Sequence, residues 1–153
     1  MRGHCIMKPE IRVQLLRSGA KLPQRQTAGS AGADLCACIE DTLGIPAGET
    51  AAVPTGLAVE IPEGFAGLIL ARSGLAVSQG LAPANKVGLI DSDYRGELLL
   101  QLHNHSDVIR TVEPGQRVAQ LVVVPVAAAT FVAADSLTPT ERGGRGFGST
   151  GEF

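Results

Sequence analysis

The stretch G-L-I-D-S-D-Y-R-G, residues Gly88 to Gly96, is where the sequence best predicts how the chain folds. An apolar lead-in is followed by a polar cluster, and a second apolar run, Leu98 to Leu100, comes after the closing glycine. This order predicts a strand, a turn and a second strand, and so a hairpin. Strands behind such a tip would hold its polar side chains rigidly. The alternative is a solvated turn that carries two aspartates, Asp91 and Asp93.

Short apolar segments separated by turn residues lie on both sides of this stretch. Most of them alternate apolar and polar residues or form a nearly continuous apolar run, as strands do. Turn signals recur about every eight to twelve residues, which predicts an all-β sandwich or barrel. One helical turn is expected at Leu75 to Leu81, where Gly80 would end it. The predicted strands are Ile11 to Leu16, a strand pair within Ala51 to Ile61, Phe65 to Ala71, Leu98 to Asn104 and Arg117 to Val126.

Length and composition indicate one domain followed by a tail. The chain has 153 residues, of which 44% are hydrophobic, enough for a buried core. Aromatic residues are only 3%, so the core is expected to consist of Val, Leu, Ile and Ala. After Asp135 the sequence becomes polar, and Thr138 to Gly151 carries five glycines. We therefore predict a single β-barrel domain over residues 1–137 and a flexible tail over residues 138–153.

The charge and cysteine content of the chain limit the classes of binding partner and the cellular compartment that we expect. Thirteen basic and fifteen acidic residues give a net charge of −2, which argues against nucleic-acid binding but not against a small anionic ligand. No apolar run approaches the length of a membrane span. The three cysteines, Cys5, Cys36 and Cys38, form no disulfide framework, so we expect a reduced, cytoplasmic setting. Cys36 and Cys38 are expected to be small buried residues on one face of a strand.

Several common catalytic motifs are absent from the sequence. There is no P-loop, no dinucleotide-binding glycine motif following a strand, no G-x-S-x-G and no H-E-x-x-H. His103 and His105 would share a face of a strand, but without a third ligand a partly exposed pair is the better interpretation. The remaining candidate phosphate donors are Arg72-Ser73-Gly74, Gln120 and the glycine-rich tail, whose arginines and Phe147 could contact phosphate and a base.

Five motifs in order resemble those of the trimeric dUTPase (deoxyuridine 5'-triphosphate nucleotidohydrolase) family. They are A-G-A-D-L from Ala31, A-R-S-G-L-A from Ala71, N-K-V-G-L-I-D-S-D-Y-R-G from Asn85, P-G-Q-R-V-A-Q-L from Pro114 and R-G-G-R-G-F-G-S-T-G from Arg142. The resemblance implies a jelly-roll-like distorted β-barrel, a homotrimer with sites shared between subunits, and a mobile tail. It also implies hydrolysis of dUTP to dUMP and pyrophosphate with Mg²⁺, which keeps uracil out of DNA and supplies dUMP for thymidylate synthesis.

The resemblance also assigns roles to individual residues. Asp91 would be the general base that activates water for attack on the α-phosphorus, and Tyr94 would pack under the deoxyribose. Asp34 would meet Mg²⁺ only through water, since the ion would be held mainly by substrate phosphates. The implied uracil pocket comprises Asn85, Gly88, Leu89, Ile90 and Leu99, the implied phosphate contacts are Arg72, Ser73, Gly74 and Gln120, and the implied tail contacts are Arg142, Phe147, Gly148 and Ser149.

Two features of the sequence depart from the family pattern, and two rival interpretations of its function remain. Arg145 stands where the family usually has a glycine, and the extension Met1 to Cys5 lies outside the family pattern. The dCTP deaminases share the fold family but use a glutamate where Asp91 stands and lack the Asp-Ser-Asp-Tyr run. The non-enzymatic rival is a nucleotide-binding or regulatory module on the same scaffold.

Overall fold

A computed structural model describes residues 8–144 of the chain, and in this part the fold is almost entirely β. Eleven strands and one short helix follow the order β1 to β6, α1, then β7 to β11. The strands are β1 (Arg12–Leu15), β2 (Ala33–Cys36), β3 (Leu43–Ile45), β4 (Thr50–Pro54), β5 (Leu57–Glu60), β6 (Phe65–Leu70), β7 (Leu81–Pro83), β8 (Gly88–Ile90), β9 (Leu99–Asn104), β10 (Arg110–Val112) and β11 (Arg117–Pro125), and the helix is α1 (Ser73–Gln79).

The strands form two larger sheets and two small ones, all antiparallel. The four-stranded sheet has the order β2-β11-β6-β8 and the three-stranded sheet has the order β4-β9-β7. The pairs β1-β5 and β10-β3 complete the fold. The predicted all-β class is confirmed, although within the described residues the sheets do not close into a barrel. No helix there is long and apolar enough to cross a membrane.

The predicted hairpin around Asp91 is wrong in its pairing. Strand β8 pairs with β6, whereas β9 pairs with β4 and β7, so the two strands belong to different sheets. The segment between them, residues 91–98, is therefore a crossing loop. The predicted strand pair within Ala51 to Ile61 is also two strands of different sheets, because β4 pairs with β9 and β5 pairs with β1. Apolar alternation identifies a strand but not its partner.

The core is aliphatic, as the composition predicts. Its buried members are all Leu, Ile, Val or Ala, and Leu35, Leu57 and Leu102 are fully inaccessible. Phe65 only packs against the edge of this cluster. Cys36 and Cys38 were expected to be buried on one face of a strand, but both are half-buried free thiols, and Cys38 lies beyond the end of β2 at Cys36.

Helix α1 confirms the predicted helical turn. It buries Leu75 and ends at Gly80, whose φ of 70° is left-handed and whose N–H bonds back to Ala76. Glycine reaches this conformation at little steric cost, which explains why the helix ends there. Arg72 is the N-cap residue, so the predicted phosphate contacts Ser73 and Gly74 lie in the first turn, both exposed.

Candidate active site

A pocket of about 180 Å³ opens where β8 and β9 part. It lies between the end of the four-stranded sheet and the loop of residues 91–98. The separation of the two strands into different sheets creates this space, which a paired hairpin would have filled with its own hydrogen bonds. The pocket is lined by Ile69, Leu89, Ile90, Asp91, Tyr94, Glu97, Leu98 and Leu99.

Backbone groups at the pocket are available for hydrogen bonding. Strand β8 is the edge strand of its sheet within the described residues. The start of β9 is paired on one side only, where Leu99 faces Pro54, because its pairing with β7 begins at Leu102. Unpaired strand N–H and C=O groups need partners. The pocket therefore presents apolar walls with backbone donors and acceptors between them.

Asp91 lies at the rim of this pocket with its side chain exposed. The Tyr94 N–H donates to the Asp91 carbonyl at 3.2 Å, which closes a tight turn. The Arg95 guanidinium donates to the Ser92 and Tyr94 carbonyls at 2.6 and 3.0 Å and so holds this turn from the other side. Asp91 also borders a second, larger cleft, so its carboxylate can be reached from outside the pocket.

The ring of Tyr94 folds back over Gly96. A Cβ at position 96 would lie only 2.6 Å from the Tyr94 Cζ, so the ring occupies the space that any larger residue would need. The Tyr94 hydroxyl donates to the Glu97 carbonyl at 3.1 Å. Sequence reasoning treated Gly96 as the end of a turn, and only the structure shows that it makes room for an aromatic ring.

Arg17, Gly56 and Glu97 fasten this loop, and sequence reasoning missed all three. The Arg17 guanidinium donates to both Glu97 carboxylate oxygens at 2.9 Å, and the Gly56 N–H donates to one of them at 2.8 Å. The hydrogen bonds from Arg17, with a smaller contribution from Gly56, hold the pKa of Glu97 below its ordinary value. The ion pair likewise raises the pKa of Arg17. Eighty residues separate the two side chains, so no local motif indicates the pair.

A second group of predicted residues lies around a buried carboxylate. Asp34, on β2, accepts a hydrogen bond from Arg72 Nε at 2.9 Å on one oxygen and from Arg117 at 3.1 Å on the other. Arg72 also donates to the Arg117 carbonyl at 3.2 Å. Two guanidinium groups therefore share one carboxylate, and the cluster retains a positive charge.

Gln120 joins this second group from β11. Its amide nitrogen donates to the Ala71 carbonyl at 2.8 Å, which holds the chain just before Arg72. Its amide group also lies over Gly32, where a Cβ would come within 3.0 Å of the Gln120 Cδ. Gln120 thus brings the strand that carries Asp34 and the start of α1 together.

The structure brings the predicted site residues together in two separate groups. Asp91, Tyr94, Leu89, Ile90 and Leu99 line the pocket, whereas Arg72 and Gly74 line a groove of about 370 Å³ that shares no residue with it. The other predicted residues lie near one group or outside it. Gln120 belongs with Asp34, Asn85 and Gly88 meet at the far end of β8, exposed Arg142 lies beyond the last strand, and Phe147, Gly148, Ser149 and Arg145 fall outside the described residues.

The match to a family model identifies the family of the chain. The model for dUTPase matches residues 18–151. The chain belongs to the dUTPase family. A deoxyuridine 5'-triphosphate nucleotidohydrolase of Paraburkholderia xenovorans (strain LB400) is 46% identical over 147 residues, 95% of this chain and 99% of the relative. The enzyme of the same name from Burkholderia mallei (strain SAVP1) is 46% identical over 146 residues, with the same coverage.

Solved dUTPase structures have the same fold. A mutant Staphylococcus bacteriophage 80alpha dUTPase with dUpNHpp superposes with a TM-score of 0.82 at 28% identity, over 94% of this chain and 99% of that one. A mutant dUTPase from phage phi11 of S. aureus, described with a structural Mg(II) ion, gives a TM-score of 0.74 at 28% identity, over 84% and 98%. The resemblance found in the sequence is thereby confirmed.

The described part of this dUTPase-family chain contains no ready-made metal cage. No group of three His, Cys, Asp or Glu side chains within residues 8–144 is arranged to hold an ion. Each Asp34 oxygen already accepts a hydrogen bond from an arginine, so only part of the acceptor capacity of this carboxylate is left for a cation. This donor set fits an ion that is held by phosphates and meets Asp34 through water. His103 and His105 are a partly exposed pair, as predicted, with ring centroids 4.4 Å apart.

Proposed function

We propose that this chain hydrolyses dUTP to dUMP and pyrophosphate. The observation that carries the proposal is the pocket between β8 and the loop of residues 91–98, with the exposed Asp91 carboxylate on its rim. Its relatives at 46% identity over nearly the whole chain are named as nucleotidohydrolases of deoxyuridine 5'-triphosphate. By this activity the protein keeps uracil out of DNA and supplies dUMP for thymidylate synthesis.

Asp91 is proposed as the general base. Its carboxylate is solvent-accessible and its backbone is fixed by the turn to Tyr94, so a water molecule can be held beside it in a defined direction. As that water attacks the α-phosphorus, the carboxylate takes up its proton and pyrophosphate departs. A positioned carboxylate is suited to this step because it is ionised at neutral pH and can accept the proton as the new bond forms.

The pocket walls are proposed to select a deoxyuridine. Free backbone groups of β8 and the start of β9 can read the edge of a pyrimidine as a neighbouring strand would. Leu89, Ile90 and Leu99 supply apolar surface on either side of a planar ring. The Tyr94 ring, held against Gly96, would lie under the sugar and leave no room for a 2'-hydroxyl.

The second group of residues is proposed to bind the triphosphate. Arg72 offers guanidinium donors, and the first-turn N–H groups at Ser73 and Gly74 have no partners within the helix. Gln120 would contribute its amide near the same phosphates. Mg²⁺ would arrive with the triphosphate and neutralise part of its charge, with Asp34 as its water-mediated contact.

We also propose that the active unit is a homotrimer with shared sites. Residues that must meet one nucleotide lie in two separate grooves of a single chain, which supports a site completed by a neighbouring subunit. The tail residues Arg142, Phe147, Gly148 and Ser149 are proposed to close over that site. The two free thiols Cys36 and Cys38 support a cytoplasmic location.

Pyrophosphate release across dUTP, UTP, dTTP and dCTP tests the proposed activity. We expect strong preference for dUTP, because the pocket is small and Tyr94 would exclude a ribose. Comparable turnover of UTP or dTTP would contradict the proposed recognition. Ammonia release from dCTP would favour the deaminase alternative, and nucleotide binding without any turnover would favour a regulatory module.

A further inference from the structure

We propose that Glu97, clamped by Arg17 and the Gly56 N–H, is a positioning residue that sets the discrimination between dUTP and UTP through Tyr94. The inference rests on the proposed function, since it concerns how the same pocket recognises a sugar. Glu97 lines the pocket but directs its carboxylate away from the nucleotide space, toward Arg17 and Gly56. It therefore acts through its neighbour and is not a catalytic residue.

Glu97 anchors the end of the loop to the core. Its carboxylate is bound to Arg17, which follows β1, and to Gly56, which lies between β4 and β5. The next residue, Leu98, is buried and also tied to this turn: its N–H donates to Leu57 at 2.8 Å and its carbonyl accepts from Thr55 at 2.7 Å. The clamp and these bonds together give the loop one fixed end.

This fixed end of the loop positions the aromatic ring of Tyr94. The Tyr94 hydroxyl donates to the Glu97 carbonyl, so the backbone of Glu97 sets where the far end of the ring lies. Gly96 leaves room for the ring at this position, because a Cβ there would clash with it. A shift of Glu97 therefore moves the surface that would meet C2' of the sugar.

The negative charge of Glu97 also has to be neutralised. An acidic residue in a pocket for an anionic nucleotide would repel the ligand unless its charge were neutralised. The bidentate Arg17 pair neutralises it and is the strong, geometrically specific kind of ion pair. Removing Arg17 would leave a carboxylate at the pocket whose negative charge is not neutralised, whereas converting Glu97 to glutamine would keep an acceptor for the Gly56 N–H.

The sequence offers a direct optical probe of this clamp. Tyr94 is the only tyrosine and the chain has no tryptophan, so intrinsic fluorescence reports on this ring alone. Four proteins are compared with the wild type: Glu97→Ala, Glu97→Gln, Arg17→Met and the control Arg110→Met. Arg110 is an arginine on β10, whose Nε donates to Ser106 Oγ at 3.1 Å outside the loop of residues 91–98. Acrylamide quenching is measured without nucleotide, and kcat/KM is measured for dUTP and UTP.

We expect Glu97→Ala and Arg17→Met to make Tyr94 easier to quench. Both variants should also lower the dUTP-to-UTP ratio of kcat/KM about tenfold. A loss of this size is smaller than the roughly hundredfold discrimination that a pocket usually achieves against one added hydroxyl group. Glu97→Gln should keep part of the protection from quenching and part of the selectivity, and Arg110→Met should change neither. Arg17→Met should also raise KM for both nucleotides, because the negative charge of Glu97 is then no longer neutralised and repels them.

The outcomes separate this inference from the proposed function. Unchanged quenching in both Glu97→Ala and Arg17→Met, or an unchanged selectivity ratio despite looser packing of Tyr94, would overturn the inference. If Glu97→Ala does not fold, Arg17→Met and Glu97→Gln decide the question alone. A wild-type protein that does not hydrolyse dUTP would overturn the proposed function, while the quenching data would still decide whether the clamp holds the ring.

Discussion

At the scale of single residues, the lack of a side chain at Gly96 leaves the space that the Tyr94 ring occupies. The Tyr94 ring rests where a Cβ of residue 96 would be, and its hydroxyl is bonded to the next residue along. The backbone at Gly96 does not need a positive φ, so alanine would be tolerated by the chain itself. Its only direct effect would be to expel the ring.

We therefore predict that Gly96→Ala folds normally but rejects UTP less well than the wild type. The added methyl group would lie 2.6 Å from the Tyr94 Cζ, so the ring must leave the place where it is proposed to meet the sugar. Gly29→Ala is the matched control, because a Cβ there meets nothing within 4 Å. Equal dUTP-to-UTP ratios of kcat/KM in the two variants would contradict the assignment of Tyr94.

Asp91 provides the second test at this scale. We predict that Asp91→Asn keeps its affinity for a non-hydrolysable dUTP analogue but loses turnover by about 10²–10⁴-fold, since the amide cannot accept the proton of the attacking water. Binding is measured by calorimetry and turnover by pyrophosphate release. Turnover near the wild-type rate would show that Asp91 is not the base.

At the scale of elements, the sequence predicted the strands better than their partners. Alternation located β1, and short apolar segments bounded by turn residues located β6, β9 and β11. The short strands β3 and β10 were not predicted, since three residues carry too little pattern. The hairpin prediction failed for a different reason. The sequence of residues 88–100 indicates two consecutive strands, but its pattern would be the same whether those strands pair with each other or belong to different sheets.

The candidate site shows the same limit. Asp91, Tyr94 and Arg72 could be predicted as site residues from the sequence because their motifs are local. The Arg17–Glu97 pair and the Gln120–Gly32 contact join residues far apart in the chain, so only the folded structure brings them into view.

The loop of residues 91–98 should loosen in acid. The pKa of Glu97 is lowered in the folded protein, chiefly by Arg17, so the unfolded chain binds this proton first as the pH falls. The stabilisation is complete above the ordinary glutamate pKa of about 4.3 and is lost as the pH falls through the lower folded value. We predict that acrylamide quenching of Tyr94 rises across this window. A rise of the same size in Glu97→Gln, which cannot titrate there, would assign the effect to another group.

At the scale of the whole molecule, the separate grooves of one chain have a consequence for assembly. If the loop of residues 91–98 and the tail that serve one site come from different subunits, two inactive proteins can complement each other. One is Asp91→Asn with its tail, and the other has Asp91 but ends after Thr140. In a threefold ring with random mixing, about one site in four receives a sound loop and a sound tail.

We predict that refolding the two proteins together restores about a quarter of wild-type activity, while each alone stays nearly inactive. Mass spectrometry confirms that mixed trimers have formed, and a wild-type protein taken through the same refolding sets the reference. Mixed trimers without any recovered activity would place the loop and tail of one site on the same chain.

The two guanidinium groups around Asp34 also affect how fast a ligand arrives. The chain as a whole carries −2, which would slow the approach of a triphosphate, yet the Asp34 cluster keeps one uncompensated positive charge beside the exposed start of α1. Such a local field attracts anions over about 8 Å at physiological ionic strength and weakens as salt is added. In stopped-flow experiments with a non-hydrolysable analogue, the association rate constant should therefore fall with rising salt while the dissociation rate constant changes little. A salt-independent association rate would mean that the arginines hold the triphosphate without drawing it in.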